Sequence, residues 1–352
     1  MPSTLPSGPP FGALVIAFSG GPDSLALLLA ASRLARRFSF AVHAAHLDHR
    51  LDPGSSARAA AAGVLAEKLG VPFICRRIDR PAPPKESREA FARRERYLFL
   101  EAVAREAGAA RVMTAHHADD QAETVLLRLL FGSGLEGLGG IAARRPLSAD
   151  GAIELLRPLL GLRRAELRAA VVEAGLDPID DPTNDDLKVP RNRVRHAVLP
   201  RLAAEAEGER DALVARLGRL SAAGKNATEK VSSVLQGLLG AEPTAAGARL
   251  SRNEFERLPA ILQGPALSLL HRLAGEGQPA PAEARGELLL QLRRGGKVRC
   301  DCGGRRGRNF YWQANRYTLE LCRAGGPEPK AAGFTYTFEA SGAGRQGKVE
   351  VS

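Results

Sequence analysis

Lysine is scarce in this chain: only eight of its 50 basic residues are lysines, and none comes before Lys68. That rules out a Walker A loop near the start, because such a loop needs a lysine to reach the distal phosphates of a nucleotide. Cysteine is scarce too. Cys75, Cys300, Cys302 and Cys322 include no Cys-x-x-Cys pair and no histidine partners at zinc spacing, which excludes a zinc module and a disulfide framework and fits a reducing cytoplasm. No apolar run reaches the roughly 20 residues of a membrane span. The Pro/Ser-rich start, Met1 to Pro10, carries no positive region of an export signal. The expectation is a cytoplasmic protein with no membrane partner.

Positive charge is what the chain has in excess. Its 50 Lys+Arg against 39 Asp+Glu leave +11 at pH 7, a balance that suits a polyanionic partner such as nucleic acid. At 352 residues the chain exceeds one ordinary core, so two or three domains are expected.

From Ala13 to about Leu160 short β-like runs alternate with helical patterns. Strands are expected at 14–18, 40–46, 73–78, 111–115 and 155–160, with helices at 24–37, 56–69, 88–106, 119–131 and 163–174. This alternation predicts an α/β fold with a doubly wound, parallel, five-stranded sheet and helices on both faces. Ligands of such sheets bind beyond the carboxyl ends of the strands. That rule selects three loops: Ser19 to Ser24, His46 to Ser55, and His116 to Ala118.

The first of these, Ser19-Gly20-Gly21-Pro22-Asp23-Ser24, stands where a strand hands over to a helix. Two glycines let the backbone approach an anion, and the helix N-terminus favours negative charge there. A carboxylate beside phosphates repels them unless a divalent cation lies between, so Asp23 implies magnesium. The six residues resemble the pyrophosphatase loop of the N-type ATP pyrophosphatases, which split ATP into AMP and pyrophosphate. His116, Asp119, Asp120 and Glu123 recur at spacings that share one rim of a helix start. His46 and Asp48 lie at the end of the strand next to the phosphate loop, where a base or ribose would sit.

Beyond the sheet the chain turns acidic from Asp177 to Asp186, and then basic with Lys188, Arg191, Arg193, Arg195 and Arg201. The expected organisation is a tail over 1–12, a catalytic domain over 13–202, and a helical extension and linker over 203–248. A small mixed α/β domain suited to nucleic-acid contact by its basic residues beside aromatics follows over 249–322, then a tail over 323–352.

The phosphate loop, His-Leu-Asp-His-Arg-Leu at 46–51, Ala92-Arg93-Arg94-Glu95-Arg96-Tyr97, His116 to Thr124, Gly132-Ser133-Gly134, Asp181-Pro182-Thr183-Asn184 and Arg191-Asn192-Arg193-Val194-Arg195 together resemble the tRNA(Ile)-lysidine synthase family. The resemblance covers about residues 11 to 202 and implies an adenine nucleotide alpha hydrolase-like fold. It also implies a two-step reaction on the wobble cytidine, position 34, of an isoleucine tRNA with a CAU anticodon. The C2 oxygen of the base attacks the α-phosphate of ATP and releases pyrophosphate; the ε-amine of free L-lysine then displaces AMP. The product, lysidine, changes codon reading from AUG to AUA.

On this reading Ser19, Gly20, Gly21, Pro22, Asp23, Ser24, His46 and His116 hold ATP, and Asp23 with Asp119 or Asp120 holds magnesium. Asp23, Asp120, Glu123 and Asp48 are the catalytic candidates. Glu123 is expected at the lysine head group, Arg93 or Arg96 at the lysine carboxylate, and Arg191, Arg193 and Arg195 at tRNA phosphates or the ATP-bound base. Homodimerisation is left open.

Overall fold

Side chains alternate across a strand, and in β1, Ala13–Ala17, the alternation separates two cores. Leu14 and Ile16 face a cluster holding Leu25 and Leu28 of α1 (Pro22–Phe38), Leu65 of α2 (Ser55–Lys68) and further residues from beyond residue 158. Val15 faces the other way, onto Phe99, Leu100 and Val103 of α3 (Arg88–Glu106). Completely buried leucines such as Leu25 and Leu28 contribute roughly 1.5–3 kcal/mol each. In this computed structural model the described residues are 12–50, 53–83, 87–131, 135–148, 150–180, 185–206, 210–275, 282–295, 298–301, 310–323, 335–338 and 347–350. The segments Gly132-Ser133-Gly134 and Asp181-Pro182-Thr183-Asn184, residue Cys302 and most of the two tails lie outside them.

The described chain divides into two units, 1–229 and 230–352. In the first, strands pair in the order β3 (Phe73–Arg77), β2 (Ala41–Asp48), β1, β4 (Arg111–Met113), β6 (Glu154–Leu156), β5 (Arg144–Pro146). Five of the strands are parallel, as expected, with Leu14 opposite both Val42 and Arg111. The sixth, β5, runs antiparallel at the edge. Three residues of Arg-Arg-Pro show no alternation, so pattern alone could not reveal it. From β1 the chain winds outward through β2 and β3 and returns to β4 on the other side of β1. The crevice between the carboxyl ends of β1 and β4 is therefore the topological switch point, where such sheets bind ligands.

Over that crevice stands α4 (Ala118–Leu130), followed by a short turn of helix, α5 (Leu135–Leu138); α6 (Arg164–Glu173) packs back against α1 through Leu167 and Val171. Helix α7 (Pro190–Arg193) continues through a π-helical turn, Val194–Val198, into α8 (Leu199–Glu205) and then α9 (Arg210–Leu239). These pack on α4 as a separate core of Ala122, Val125, Leu126, Val194, Leu199, Val214 and Leu217. The expected helical extension is thus two helices, and the division at 229/230 falls inside α9.

In the second unit the end of the expected extension and linker, 241–248, whose small residues read as the linker, is instead structural. It supplies β7 (Glu242–Thr244) and the start of β8 (Gly247–Ser251), which pair in the order β7, β8, β11 (Thr318–Arg323), β10 (Phe310–Ala314), β9 (Val298–Asp301), all antiparallel. Its Ala/Gly/Pro composition reads as linker, but Ala241, Ala246 and Ala248 are buried. At Gly247 an added Cβ would lie 1.9 Å from the Leu321 carbonyl oxygen, so the strands approach more closely there than any side chain allows. Helices α10 (Arg252–Arg257), α11 (Ala260–Leu273) and α12 (Ala282–Arg294) complete the unit around Trp312 and Phe310. In the tail β12 (Thr335–Phe338) pairs with β13 (Gly347–Glu350). Among the described residues no helix is long and apolar enough to cross a membrane.

His271 of α11 is buried edge-to-face against Trp312, the chain's single tryptophan, with ring centroids 5.5 Å apart. Burial, helped by the Arg285 charge, pushes its pKa down to about 4. The unfolded chain therefore binds more protons between about pH 6.5 and pH 4. Stability of this unit is expected to fall as pH drops through that window, by about 2 kcal/mol at pH 5. Urea unfolding followed by Trp312 fluorescence should show this slope, and His271→Gln should remove it; equal pH dependence in both proteins would refute the assignment.

Candidate active site

The phosphate loop is built as its sequence requires. Gly20 has φ +82°, and a Cβ there would come within 2.4 Å of Ile179 Cδ1. Its carbonyl accepts the Ile179 N–H at 3.0 Å, which ties the loop to the segment after α6. The Ser24 hydroxyl donates to the Gly21 carbonyl (3.0 Å), accepts from the Ser19 N–H (3.2 Å) and lies 3.1 Å from the Ser19 hydroxyl. Gly21 caps α1 with no side chain, and Pro22 occupies the first turn. The first amides of α1 are thus left uncapped by any side chain, as a phosphate-binding helix start must be.

Asp23 faces His117. Its Oδ2 lies 3.4 Å from His117 Nε2, and its Oδ1 is buried with no hydrogen-bond partner among the described residues. His117 is 1% exposed, with Asp119 and Asp120 also within 3.7 Å. Burial opposes charge on this imidazole, but the contact with Asp23 and the charges of Asp120 and Asp119 outweigh it and raise its pKa. An orphaned carboxylate oxygen beside a phosphate site fits a cation. No group of three or more His, Cys, Asp or Glu among the described residues is arranged to hold a metal. Magnesium on a nucleotide needs only one or two carboxylates, because phosphate oxygens and water complete its shell.

Helix α4 carries the other acids. Asp120 caps its own helix by accepting the His117 N–H at 3.0 Å. Arg191 donates to Asp120 Oδ1 (2.8 Å) and Glu123 Oε2 (2.7 Å), and Arg195 donates to both oxygens of Glu123 (2.6 and 3.1 Å). Glu123 is fully buried. Burial would raise the Asp120 pKa, but the charges of Arg191 and His117 hold it below the usual range. Arg191 and Arg195 therefore point inward as counter-ions of buried carboxylates rather than outward to phosphates, which corrects the expectation for these two. Arg193, between them, is exposed.

Two more expectations change. Asp48 is 2% exposed and saturated by its own loop: it accepts from Ser55 Oγ, from Ser56 Oγ (3.0 Å) and from the Arg50 N–H (3.0 Å), and Arg77 lies 3.5 Å away. It organises the turn after β2 and is not free for catalysis. Asp119, expected as a metal ligand, is clamped by Arg163 (3.2 and 3.3 Å) and by the Arg164 N–H (3.0 Å). Its role is to join α4 to the start of α6.

A cavity of about 1130 Å³ joins Ser19, Gly21 to Ser24, His46, Arg93, Arg96, His116, Asp119, Asp120, Arg191 and Arg195. His46 Nδ1 donates to the Phe18 carbonyl (2.9 Å), since a carbonyl only accepts, and its pKa is lowered by burial; the imidazole is neutral with Nε2 an acceptor. His116 contacts Thr114 Oγ1 at 2.9 Å and is neutral too, pushed down to about 3 by burial and by Arg157, Arg191 and Arg93. Arg96 donates to His49 Nε2 (3.3 Å) in the cavity wall. Arg93 stacks on the Tyr97 ring at 5.2 Å, with Arg145 at 4.6 Å. Burial works against ionising the Tyr97 phenol, but Arg93, Arg145 and Arg157 bring it down to about 8.

Arg163, Arg164 and Arg168 also line the cavity and were not singled out from sequence. The signal was available: they follow β6, a parallel strand whose carboxyl end obeys the same rule that selected the other loops.

Fold and site together define an ATP-binding domain of the PP-loop class, and the family model for the PP-loop domain matches residues 6–202. The U34-tRNA thiolase NcsA of Methanococcus maripaludis shares the fold, with TM-score 0.50 and 17% identity over 60% of this chain and 72% of that one. The tRNA(Ile)-lysidine synthase of Methylobacterium nodulans is 38% identical over 309 residues, covering 83% of this chain and 86% of the relative. That of Leifsonia xyli subsp. xyli is 41% identical over 293 residues, covering 79% and 86%. The chain belongs to the tRNA(Ile)-lysidine synthase family.

Removing one partner of a buried ion pair leaves an uncompensated charge. Arg195→Ala is expected to destabilise the first unit by about 3 kcal/mol, whereas Arg193→Ala should leave the unfolding midpoint unchanged. Similarly, Asp48→Asn should lower the thermal midpoint more than it lowers the turnover of the folded fraction. Chemical denaturation and single-turnover assays on the three variants check both statements.

Proposed function

We propose that the protein uses ATP to join free lysine to C2 of the wobble cytidine of tRNA(Ile) with a CAU anticodon, forming lysidine. The observation that carries this reading is the convergence, at one switch point, of an uncapped phosphate loop and the buried acids of α4, in a chain of this family. In the first step the C2 oxygen attacks the α-phosphorus and pyrophosphate leaves. The Ser19 and Ser24 hydroxyls and the amides around Gly20 and Gly21 stabilise the charge that grows on the departing phosphates. Magnesium, when bound, neutralises charge between phosphates, with Asp23 and Asp120 the residues that would hold it.

In the second step the lysine amine attacks C2, AMP leaves, and the amine gives up its proton. Only the unprotonated amine has a lone pair to attack. Glu123 is the acid proposed to meet the ammonium, with Asp120 beside it. Because Arg191 and Arg195 already occupy Glu123, an ammonium must share that carboxylate or displace a guanidinium. Arg93 and Arg96 stand on the wall where a lysine carboxylate would be met. Arg193, exposed beside the site, is placed to meet a tRNA phosphate.

A thiolating role would need a reactive cysteine beside the crevice. Cys75 lies on the edge strand β3 and lines a separate small pocket, and burial raises its pKa; a protonated thiol is a poor nucleophile.

The deciding assay is incorporation of labelled lysine into purified tRNA(Ile) with a CAU anticodon, with ATP and magnesium. Incorporation should require the wobble cytidine and should vanish in Asp23→Ala with the fold intact by circular dichroism. Pyrophosphate release with another RNA and no lysine incorporated would discard the lysidine reading. Arg193→Ala should also reduce the slope of tRNA affinity against salt concentration by about one; an unchanged slope would remove its phosphate contact.

A further inference from the structure

Among the guanidiniums lining the cavity, Arg164 is set apart by an Nε–H that is buried without a partner among the described residues. Its backbone is fixed at the rim, since its N–H donates to Asp119 Oδ2 at 3.0 Å where α6 begins. Its side chain is only partly exposed, its Nε is buried with no partner, and its guanidinium makes no hydrogen bond or ion pair with any described residue. Three neighbouring cations are committed, Arg163 to Asp119 and Asp211, and Arg191 and Arg195 to Asp120 and Glu123, while Arg168 is exposed to water. Burial and the like charges of Arg195 and Arg168 work against the Arg164 cation, and Asp23 and Glu123 favour it only from a distance. A half-buried cation without a partner is costly to keep. Such a cost is offset when an anion enters the cavity.

We propose that Arg164 binds the β- and γ-phosphates of ATP, and the pyrophosphate they become, as the cationic counterpart of the phosphate loop. The inference rests on the ATP-using reading above. Its geometry follows from the cavity: Arg164 lines the same space as Ser19, Gly21, Asp23 and Ser24. The planar fork of an arginine matches the paired oxygens of a phosphate. No other guanidinium lining the described crevice has a buried Nε–H left uncommitted. As the P–O bond to the leaving group breaks, negative charge moves onto the pyrophosphate. A fixed cation at that end stabilises the transition state more than the bound substrate.

The test is titration of the full chain, in magnesium buffer without tRNA or lysine, with inorganic pyrophosphate, ATP and AMP. It compares the unmodified protein with Arg164→Ala and Arg164→Lys. Arg164→Ala should weaken pyrophosphate and ATP at least tenfold while AMP changes less than twofold. Arg164→Lys restores the charge without the fork and should recover part of the loss. Removing an unpaired half-buried cation should leave the thermal midpoint equal or higher. Unchanged pyrophosphate and ATP affinities would overturn the proposal. So would an equal loss for AMP, which would mean a contact at the α-phosphate or a general disturbance. The outcome is separable from the lysidine assignment. Binding of pyrophosphate through Arg164 without lysine incorporation discards the substrate reading alone. Lysine incorporation with pyrophosphate affinity indifferent to Arg164 discards this one alone.

Discussion

Three carboxylates on the first turns of α4 leave bulk water, and the crevice is arranged around that fact. Asp119 and Glu123 are 3% and 0% exposed, and a buried carboxylate is tolerated only where cations and donors meet it. The answering arginines come from elsewhere in the chain: Arg163 from the end of the parallel sheet, Arg191 and Arg195 from the helical run after residue 189. Meeting these acids brings distant segments together over the carboxyl ends of β1 and β4. The hydrophobic contacts of Val125 and Leu126 with Val194 and Leu199 then hold the same helices from behind.

This matching also sets the charge state of the site. Asp119 and Asp120 stay ionised because guanidiniums outweigh the burial that would neutralise them. His116 and His46 stay neutral because burial prevails. His117, equally buried, goes the other way, since it alone sits against three aspartates. Neighbouring histidines in one motif thus take opposite roles. Among the described residues Asp23 keeps one carboxylate oxygen, and Arg164 its Nε–H, buried without a partner, and both line the space a magnesium nucleotide would fill.

Much of this was legible in the residues. The Ser-Gly-Gly-Pro-Asp-Ser loop declared a phosphate site because its glycines are demanded by backbone geometry, and Gly20 indeed takes a positive φ under Ile179. The parallel sheet followed from alternation of long, regular segments. The direction in which a side chain points was not legible. Arg191, Arg193 and Arg195 look alike in sequence, yet only the packing of their helical run on α4 shows that the face shared by the first and last, four residues apart, turns inward to Glu123 and leaves the middle one exposed. Asp48 looked like a substrate contact because of its address, but two serines seven and eight residues later saturate it. The run 241–248 read as a linker because small residues pack without an alternating pattern.

Local sequence determined what short-range sterics and periodicity can specify: the phosphate loop, the strand and helix order, and therefore the edge of the sheet where ligands go. Membership of charge pairs was decided only by tertiary structure. An ion pair is a distance of a few ångströms between groups that lie, for Glu123 and Arg195, 72 residues apart. Which acid finds which arginine depends on how helices pack. Which polar atoms remain without a partner, here Asp23 Oδ1 and Arg164 Nε, is settled only after the others have found theirs.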